Sequence, residues 1–236
     1  MKNSVSRWGL RRPNDPDKPS DDGLMYRTFL ISILALALLI GCKKESKEIT
    51  YYTTFVNTAM LAKYFFKPGT YWVYEDQSNF NDSVIVTGGT NGFNTIPCPH
   101  GCPGGVITRY EYYEMDLLDF TNNITSNHYY MSNYIKLNGG GEYGQLGQPI
   151  FMYDRAVNDG FNGAKVIDKY DSMTVSGIKY YNITKMKITA SLQFQKEFLF
   201  DTYLYFADNF GIIKKEINDT INGYQTWNLK RSHIVK

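Results

Sequence analysis

The sequence predicts a mainly β fold, an antiparallel curved sheet or partial barrel with one short helix, with a two-sheet β-sandwich as the alternative. Composition is the first reason. Among 236 residues there are 20 Tyr and 14 Phe, and Asn, Thr and Gly stand where a helical chain would use Ala, Leu, Glu and Lys. Aromatic side chains suit a pleated, half-buried surface. The second reason is spacing, because short aromatic and β-branched runs are separated by Gly, Asn, Asp and Pro. The third is their number. Ten or eleven strands joined by local turns make an antiparallel meander, and an open sheet of that size curls or closes to protect its edges.

The elements follow in order. Residues 1–24, with Arg11-Arg12-Pro13 and four aspartates, cannot bury enough apolar surface to fold. They read as a disordered or misassigned extension, Met25 being the better start. Arg11-Arg12 lies too far upstream of the next apolar run, in the wrong context, for twin-arginine export. Phe29–Ile40 is apolar but falls well short of the roughly 20 residues that span a bilayer. With Arg27 before it and Gly41-Cys42 after it, residues 25–41 have the form of a secretory signal peptide.

Leu39-Ile40-Gly41-Cys42 resembles the lipobox of bacterial lipoproteins at all four positions. The resemblance implies acylation of Cys42, cleavage before it, and an outer-membrane location facing the periplasm or the cell surface. Two or three acyl chains, at about 0.8 kcal/mol per buried methylene, anchor stably. Of the 25 Lys and Arg and 23 Asp and Glu, six and four lie in residues 1–42. The remaining chain therefore carries nineteen of each sign and no net charge. Without a basic face or stripe, nucleic acid is excluded as a partner. Residues 42–50 form the acylated Cys and a charged tether. Lys44-Glu45 partly resembles the surface-export signal of Bacteroidetes lipoproteins, and a plain solvated linker fits it equally.

Residues 51–236 read as a single β-rich domain. Within 54–66, Phe55, Met60, Leu61, Tyr64 and Phe65 recur at helical spacing, and Pro68-Gly69 ends the helix. Tyr71–Glu75 is a strand, Asp76–Asn81 a turn, and Ser83–Thr87 its hairpin partner. Gly88–Gly105 reads as a long loop. Strands resume at Ile107–Leu118, Asn127–Ser132 and Ile150–Tyr153. The interruption at Asn138–Gly144 matches no Walker, dinucleotide or kinase glycine pattern and reads as a hairpin tip. Asp154–Gly163 is a polar connector, because Asp154, Asn158 and Asp159 lack calcium-loop spacing. Val166–Tyr170, Met173–Gly177, Lys179–Thr189, Gln193–Phe206, Gly211–Asn218 and Tyr224–Val235 complete the sheet, similar in outline to the lipoprotein-localisation carrier fold.

Phe65-Phe66-Lys67-Pro68-Gly69-Thr70-Tyr71-Trp72-Val73-Tyr74 with Asp82-Ser83-Val84 resembles the opening of a group of Bacteroidetes lipoproteins. Phe206-Ala207-Asp208-Asn209-Phe210-Gly211-Ile212-Ile213-Lys214 and Thr226-Trp227-Asn228-Leu229 resemble its closing strands. The resemblance covers the two ends of the domain, its motifs are structural, and it implies no particular activity.

Chemistry concentrates at Cys98-Pro99-His100-Gly101-Cys102. Outside the cytoplasm thiols oxidise, and with Cys42 lipidated the other two cysteines make an even pair. A disulfide between Cys98 and Cys102 would close a small loop and stabilise it modestly. Cys98, His100 and Cys102 could instead hold zinc or copper(I), although a structural zinc site wants a fourth ligand and only the distant His128 and His233 exist. A redox pair would have C-x-x-x-C spacing in place of the thioredoxin C-x-x-C.

No cofactor motif, G-x-S-x-G elbow or H-E-x-x-H is present. Glu111, Glu114, Asp116 and Asp119 could include a glycosidase pair, but Glu114 and Asp116 alternate with Met115 and Leu117 as the wet face of a strand. Tyr110, Tyr112, Tyr129 and Tyr130 could form a sugar platform or core. Asp82-Ser83-Val84, Asp171-Ser172-Met173 and Asp219-Thr220-Ile221 resemble the Bacteroidetes O-glycosylation pattern, at Ser83, Ser172 and Thr220. The expected function is a non-enzymatic envelope lipoprotein whose β-domain binds a protein, glycan or lipid, with an envelope glycan hydrolase as the alternative.

Overall fold

The computed structural model describes residues 50–95, 106–138, 148–189, 200–219 and 223–236. They form β1 (Thr50–Thr54), α1 (Thr58–Tyr64), β2 (Tyr71–Asp76), β3 (Asn81–Thr95), β4 (Val106–Asp119), β5 (Ile124–Met131), β6 (Tyr134–Asn138), β7 (Gln148–Met152), β8 (Gly160–Phe161), β9 (Ala164–Val175), β10 (Ile178–Ile188), β11 (Thr202–Ala207), β12 (Gly211–Asp219) and β13 (Gly223–His233). All strands belong to one sheet in the order β7-β6-β5-β4-β3-β2-β13-β12-β11-β10-β9-β8, with β1 added on β4. Every pairing is antiparallel except that of β1. The sheet curls until its ends nearly meet, where Tyr134 of β6 packs on Phe161 of β8 with ring centroids 5.2 Å apart. The fold is thus the expected curved, barrel-like sheet with one short helix, and not a sandwich.

Alternation builds the barrel. Met115 and Leu117 on β4, Tyr130 on β5, Trp72 and Tyr74 on β2, and Leu204 and Phe206 on β11 are buried. Their neighbours in sequence lie on the opposite face, where some, such as Val73, Tyr129 and Tyr205, are also covered, so each strand contributes every second side chain to the interior. Bulges on β3, β9, β12 and β13 add the local bend and twist that closure requires.

Asparagine supplies much of the turn chemistry. Asn79, Asn123, Asn158, Asn162, Asn182 and Asn209 all have positive φ, a conformation Asn tolerates better than most residues.

α1 is short because little beyond its cap and one apolar face supports it. The Asn57 side chain accepts hydrogen bonds from the N–H groups of Ala59 at 2.9 Å and Met60 at 3.2 Å, and Met60 and Tyr64 are its buried residues. An Asn57→Ala variant is expected to lose about 1 kcal/mol, the usual cost of an absent N-cap, read as a lower urea midpoint at unchanged slope. An unchanged midpoint would show that packing alone holds the helix.

Three sequence readings are corrected. The stretch from Gly88 to Thr95 is not loop but the continuation of β3, paired to β4 as far as Thr95↔Arg109. Glycine is needed at position 89 for close approach, since a Cβ there would lie 2.6 Å from the Glu114 carbonyl oxygen, whereas one on Gly88 would meet only the movable end of the Asp116 side chain. Val166–Tyr170 and Met173–Gly177 are one strand, β9, kept continuous through its pairing with β10. β1, β6 and β8 are strands that the sequence reading omitted, all too short to show alternation. No helix among the described residues is long and apolar enough to cross a membrane.

Candidate functional site

The barrel interior is not filled. α1 and the two residues after it close one end with rings: Tyr64 against Phe151 at 4.6 Å, Phe65 against Tyr130 at 5.3 Å, Phe66 against Trp72 at 5.1 Å, and Phe151 against Phe206 at 4.6 Å. Polar bonds fix this plug. Tyr130 donates to the Tyr64 carbonyl at 2.6 Å, and Trp72 Nε1 to the Phe210 carbonyl at 2.7 Å.

Above the plug is a hollow of about 440 Å³, walled by side chains such as Val84, Met115, Leu117, Ile135, Leu204 and Ile217. Its lining runs out to Asn122 and to Ile124, which is 49% exposed, so the hollow reaches solvent beside the β4–β5 turn. The volume falls in the range of about 300–1,000 Å³ common for small-molecule pockets.

Four titratable groups face this apolar space: Asp82, Asp119, His128 and Lys215. Each shares an inward row with apolar residues, Asp82 with Val84 and Val86, Asp119 with Met115 and Leu117, His128 with Tyr130, and Lys215 with Ile217. Lys215 Nζ is 3.9 Å from Asp82 Oδ2 and 4.2 Å from the centre of the Tyr74 ring. Burial pulls the Lys215 ammonium below its ordinary value, while Asp82 and Asp119 oppose that shift.

Burial also lowers His128, to about 4, and the nearby Lys215 charge pushes in the same direction, so the imidazole is neutral at pH 7. Burial would raise Asp119. Its hydrogen bonds outweigh that effect and hold it below the usual carboxylate range, since it accepts from Asn122 through side chain and backbone and from Thr121 N–H. Asp82 Oδ1 is buried with no hydrogen-bond donor on it. The hollow thus has an apolar base and a polar, ionisable wall nearer the turns.

The other residues singled out in the sequence lie apart. Glu111 accepts from Val56 N–H at 3.0 Å and from the Tyr113 hydroxyl at 3.4 Å, which gives it a structural task. Glu114 accepts from Asn127 Nδ2 on the outer face, where Asp116 also lies. Only Asp119 of the four carboxylates reaches the hollow, so they do not converge as a pair. Tyr110, Tyr129 and Tyr130 are buried, and Tyr112 stacks on Tyr129 at 5.2 Å, an arrangement of packing instead of an exposed platform. Ser83 and Ser172 are half-buried on β3 and β9. Cys42, Cys98, His100, Cys102 and Thr220 lie outside the described residues. Among the described residues no group of three His, Cys, Asp or Glu could hold a metal ion.

Sequence reasoning missed Asp82, His128 and Lys215 as a set. Their shared signal was an ionisable residue at an inward position. On the outer face a second charged group forms around Glu216, which accepts from the Tyr205 hydroxyl at 2.9 Å and pairs with Lys214 at 2.6 Å and Lys185 at 3.6 Å. Every charge in that group is answered locally, as expected of a sheet-stabilising network.

No protein-family model matches the chain, and no curated protein matches it. Among solved structures, a crystal structure of a protein provisionally named a lipoprotein, from Parabacteroides distasonis, is 12% identical and aligns over 73% of this chain and 99% of that one, with a TM-score of 0.33. A similarity of that size transfers neither fold detail nor function.

Proposed function

We propose that the chain is a lipid-anchored protein of the bacterial envelope, held to the outer membrane through Cys42, and that its barrel holds a small amphipathic molecule. The anchor part is supported by the residues around Cys42. The binding part is supported by one observation above all, the hollow of about 440 Å³ with an aromatic base and ionisable groups near its opening. A core built only for stability fills such space, because each void forfeits packing energy. An apolar chain would displace water from the base, while its head would meet Lys215, Asp82, Asp119 and His128.

Trp72 and Trp227 line the hollow, so their fluorescence reports occupancy. Titration with a single-chain monoacylglycerol is expected to change that emission saturably. Val84→Phe, which adds a ring to the wall at a half-buried position, is expected to weaken binding at least tenfold while leaving the fold intact. Saturable binding unaffected by Val84→Phe would place the ligand elsewhere, and no binding by any single-chain amphiphile would overturn the reading. For the anchor, a Cys42→Ala variant should lose membrane fractionation and the mass of the acyl chains. Retention of both would refute acylation.

The proposed O-glycosylation at Ser83, Ser172 and Thr220 is tested separately, by peptide mass in protein from the native host. Unshifted peptides would exclude it.

A further inference from the structure

β3 and β4 outgrow the barrel. β2 pairs only with Asn81–Ile85 of β3, and β5 only with Tyr113–Asp119 of β4, yet the two strands stay paired to each other as far as Thr95 and Arg109. They therefore leave the barrel as a two-stranded arm. On the edge of β4 that β5 vacates, β1 takes over, with Thr50–Thr54 opposite Val106–Tyr110. The arm runs past the closed end, since Asn57, just after β1, donates its N–H to Ser132 in the β5–β6 turn at 2.8 Å.

This arm carries a concentration of exposed rings. Tyr51 is 52% exposed, Phe55 63% and Phe93 48%. They surround one cation: the Arg109 guanidinium lies 5.1 Å from the Tyr51 ring centre and 4.7 Å from that of Phe93, and its Nε donates to Thr53 Oγ1 at 3.0 Å. Phe55 meets Phe93 edge-on at 6.3 Å. Alternation puts Tyr51, Thr53 and Phe55 on one side of β1, so the rings and Arg109 share a face. Large exposed apolar groups gathered in one place mark a contact surface. Aromatic rings around a cation match the headgroup layer of a bilayer, where Tyr and Trp are enriched and basic side chains meet phosphate.

The chain length selects the occupant. Only residues 43–49 separate Cys42 from Thr50, a reach of at most about 25–30 Å when fully extended. β1 is the first described element after Cys42, and this length of chain limits how far its exposed face can lie from the surface that holds the acyl chains.

We propose that Tyr51, Phe55, Phe93 and Arg109 form a membrane-seating patch, which docks the arm on the headgroups of the bilayer that carries the anchor. The proposal rests on acylation of Cys42 and is independent of the ligand in the hollow.

The test uses the full chain, acylated in a bacterial host and reconstituted into phosphatidylethanolamine–phosphatidylglycerol vesicles with or without brominated acyl chains. Phe55→Trp places a reporter in the patch. Phe120→Trp places one at a 60% exposed position in the β4–β5 turn, at the opposite end of β4 from the arm. Brominated lipid is expected to quench the Phe55→Trp emission at least twofold and to leave Phe120→Trp unchanged. Equal quenching of the two reporters, or none at position 55, in protein shown by mass to be acylated and vesicle-bound overturns the seating while leaving the anchor intact. Absence of the acyl mass overturns the anchor and the seating with it. Self-association that Tyr51→Ser/Phe55→Ser abolishes, without quenching at position 55, would assign the patch to a second copy of the chain and reject the membrane.

Discussion

Phe206→Ala is expected to destabilise the domain by about 3–5 kcal/mol, the range for removing a fully buried phenyl ring. The ring is 2% exposed. It sits at the crossing of three elements, 4.6 Å from Phe151 of β7 and 6.3 Å from Tyr64 of α1, and Phe206 itself belongs to β11. Because the two ends of the sheet nearly meet across this plug, losing the ring weakens the closure as well as the local packing. Urea unfolding followed by tryptophan emission measures the effect, with Phe120→Ala, 60% exposed in the β4–β5 turn, as a control expected to stay within about 0.5 kcal/mol. A cost below about 1.5 kcal/mol for Phe206→Ala would mean that the closed end does not depend on the aromatic plug. If the domain tolerates the change, the base of the hollow becomes deeper, and a longer chain should bind.

Acid is expected to weaken the fold by up to about 3 kcal/mol between pH 7 and pH 4, through His128. The folded protein holds this imidazole near 4 against an ordinary value of 6.5. The unfolded chain therefore takes up the proton first as pH falls, so stability is full above pH 6.5 and is lost progressively toward pH 4. The groups facing it, Lys215 with Asp82 and Asp119 behind, decide whether a charged His128 is tolerated. Asp119 and Glu216, both held below the ordinary carboxylate range, contribute in the same direction at a lower pH, near and below the value of an unfolded carboxyl. Urea midpoints at half-unit pH steps separate the windows. His128→Leu should flatten the curve between pH 6.5 and 4.5 and leave the steeper acid loss below pH 4. A wild-type curve that is already flat between pH 6.5 and 4.5 would contradict the neutral, enclosed histidine.

Strand content and curvature were legible because Tyr, Phe and Val recur beside turn residues, and alternation across Met115 and Leu117 already told wet face from dry. The path of β3 was not legible. Gly88 and Gly89 carry turn chemistry in isolation, and only the close approach of Gly89 to the Glu114 carbonyl explains why glycine belongs inside a strand.

The hollow was harder to see for a related reason. Lys214-Lys215-Glu216 looks like a solvated charge run, although Lys215 stands two residues from Ile217, on its side of β12, and lines the hollow with it. Asp82 drew notice as part of an Asp-Ser-Val pattern and not as the neighbour, one position removed, of Val84. Each strand encodes its inward row, but the curvature that turns those rows toward a shared empty space comes from bulges and from Asn residues at positive φ, which act between strands.

β4 carries Arg109, at the centre of the exposed rings, near its start and Asp119, beside the opening of the hollow, at its end. Ten residues of strand at about 3.3 Å each set the two roughly 33 Å apart along the strand. A protein resting on the bilayer by its arm would hold its opening outward, above the layer of headgroups and beyond direct reach of the lipids beneath it. Cargo would then arrive from the aqueous compartment or from a facing surface, and the barrel would receive it there instead of extracting it from its own membrane.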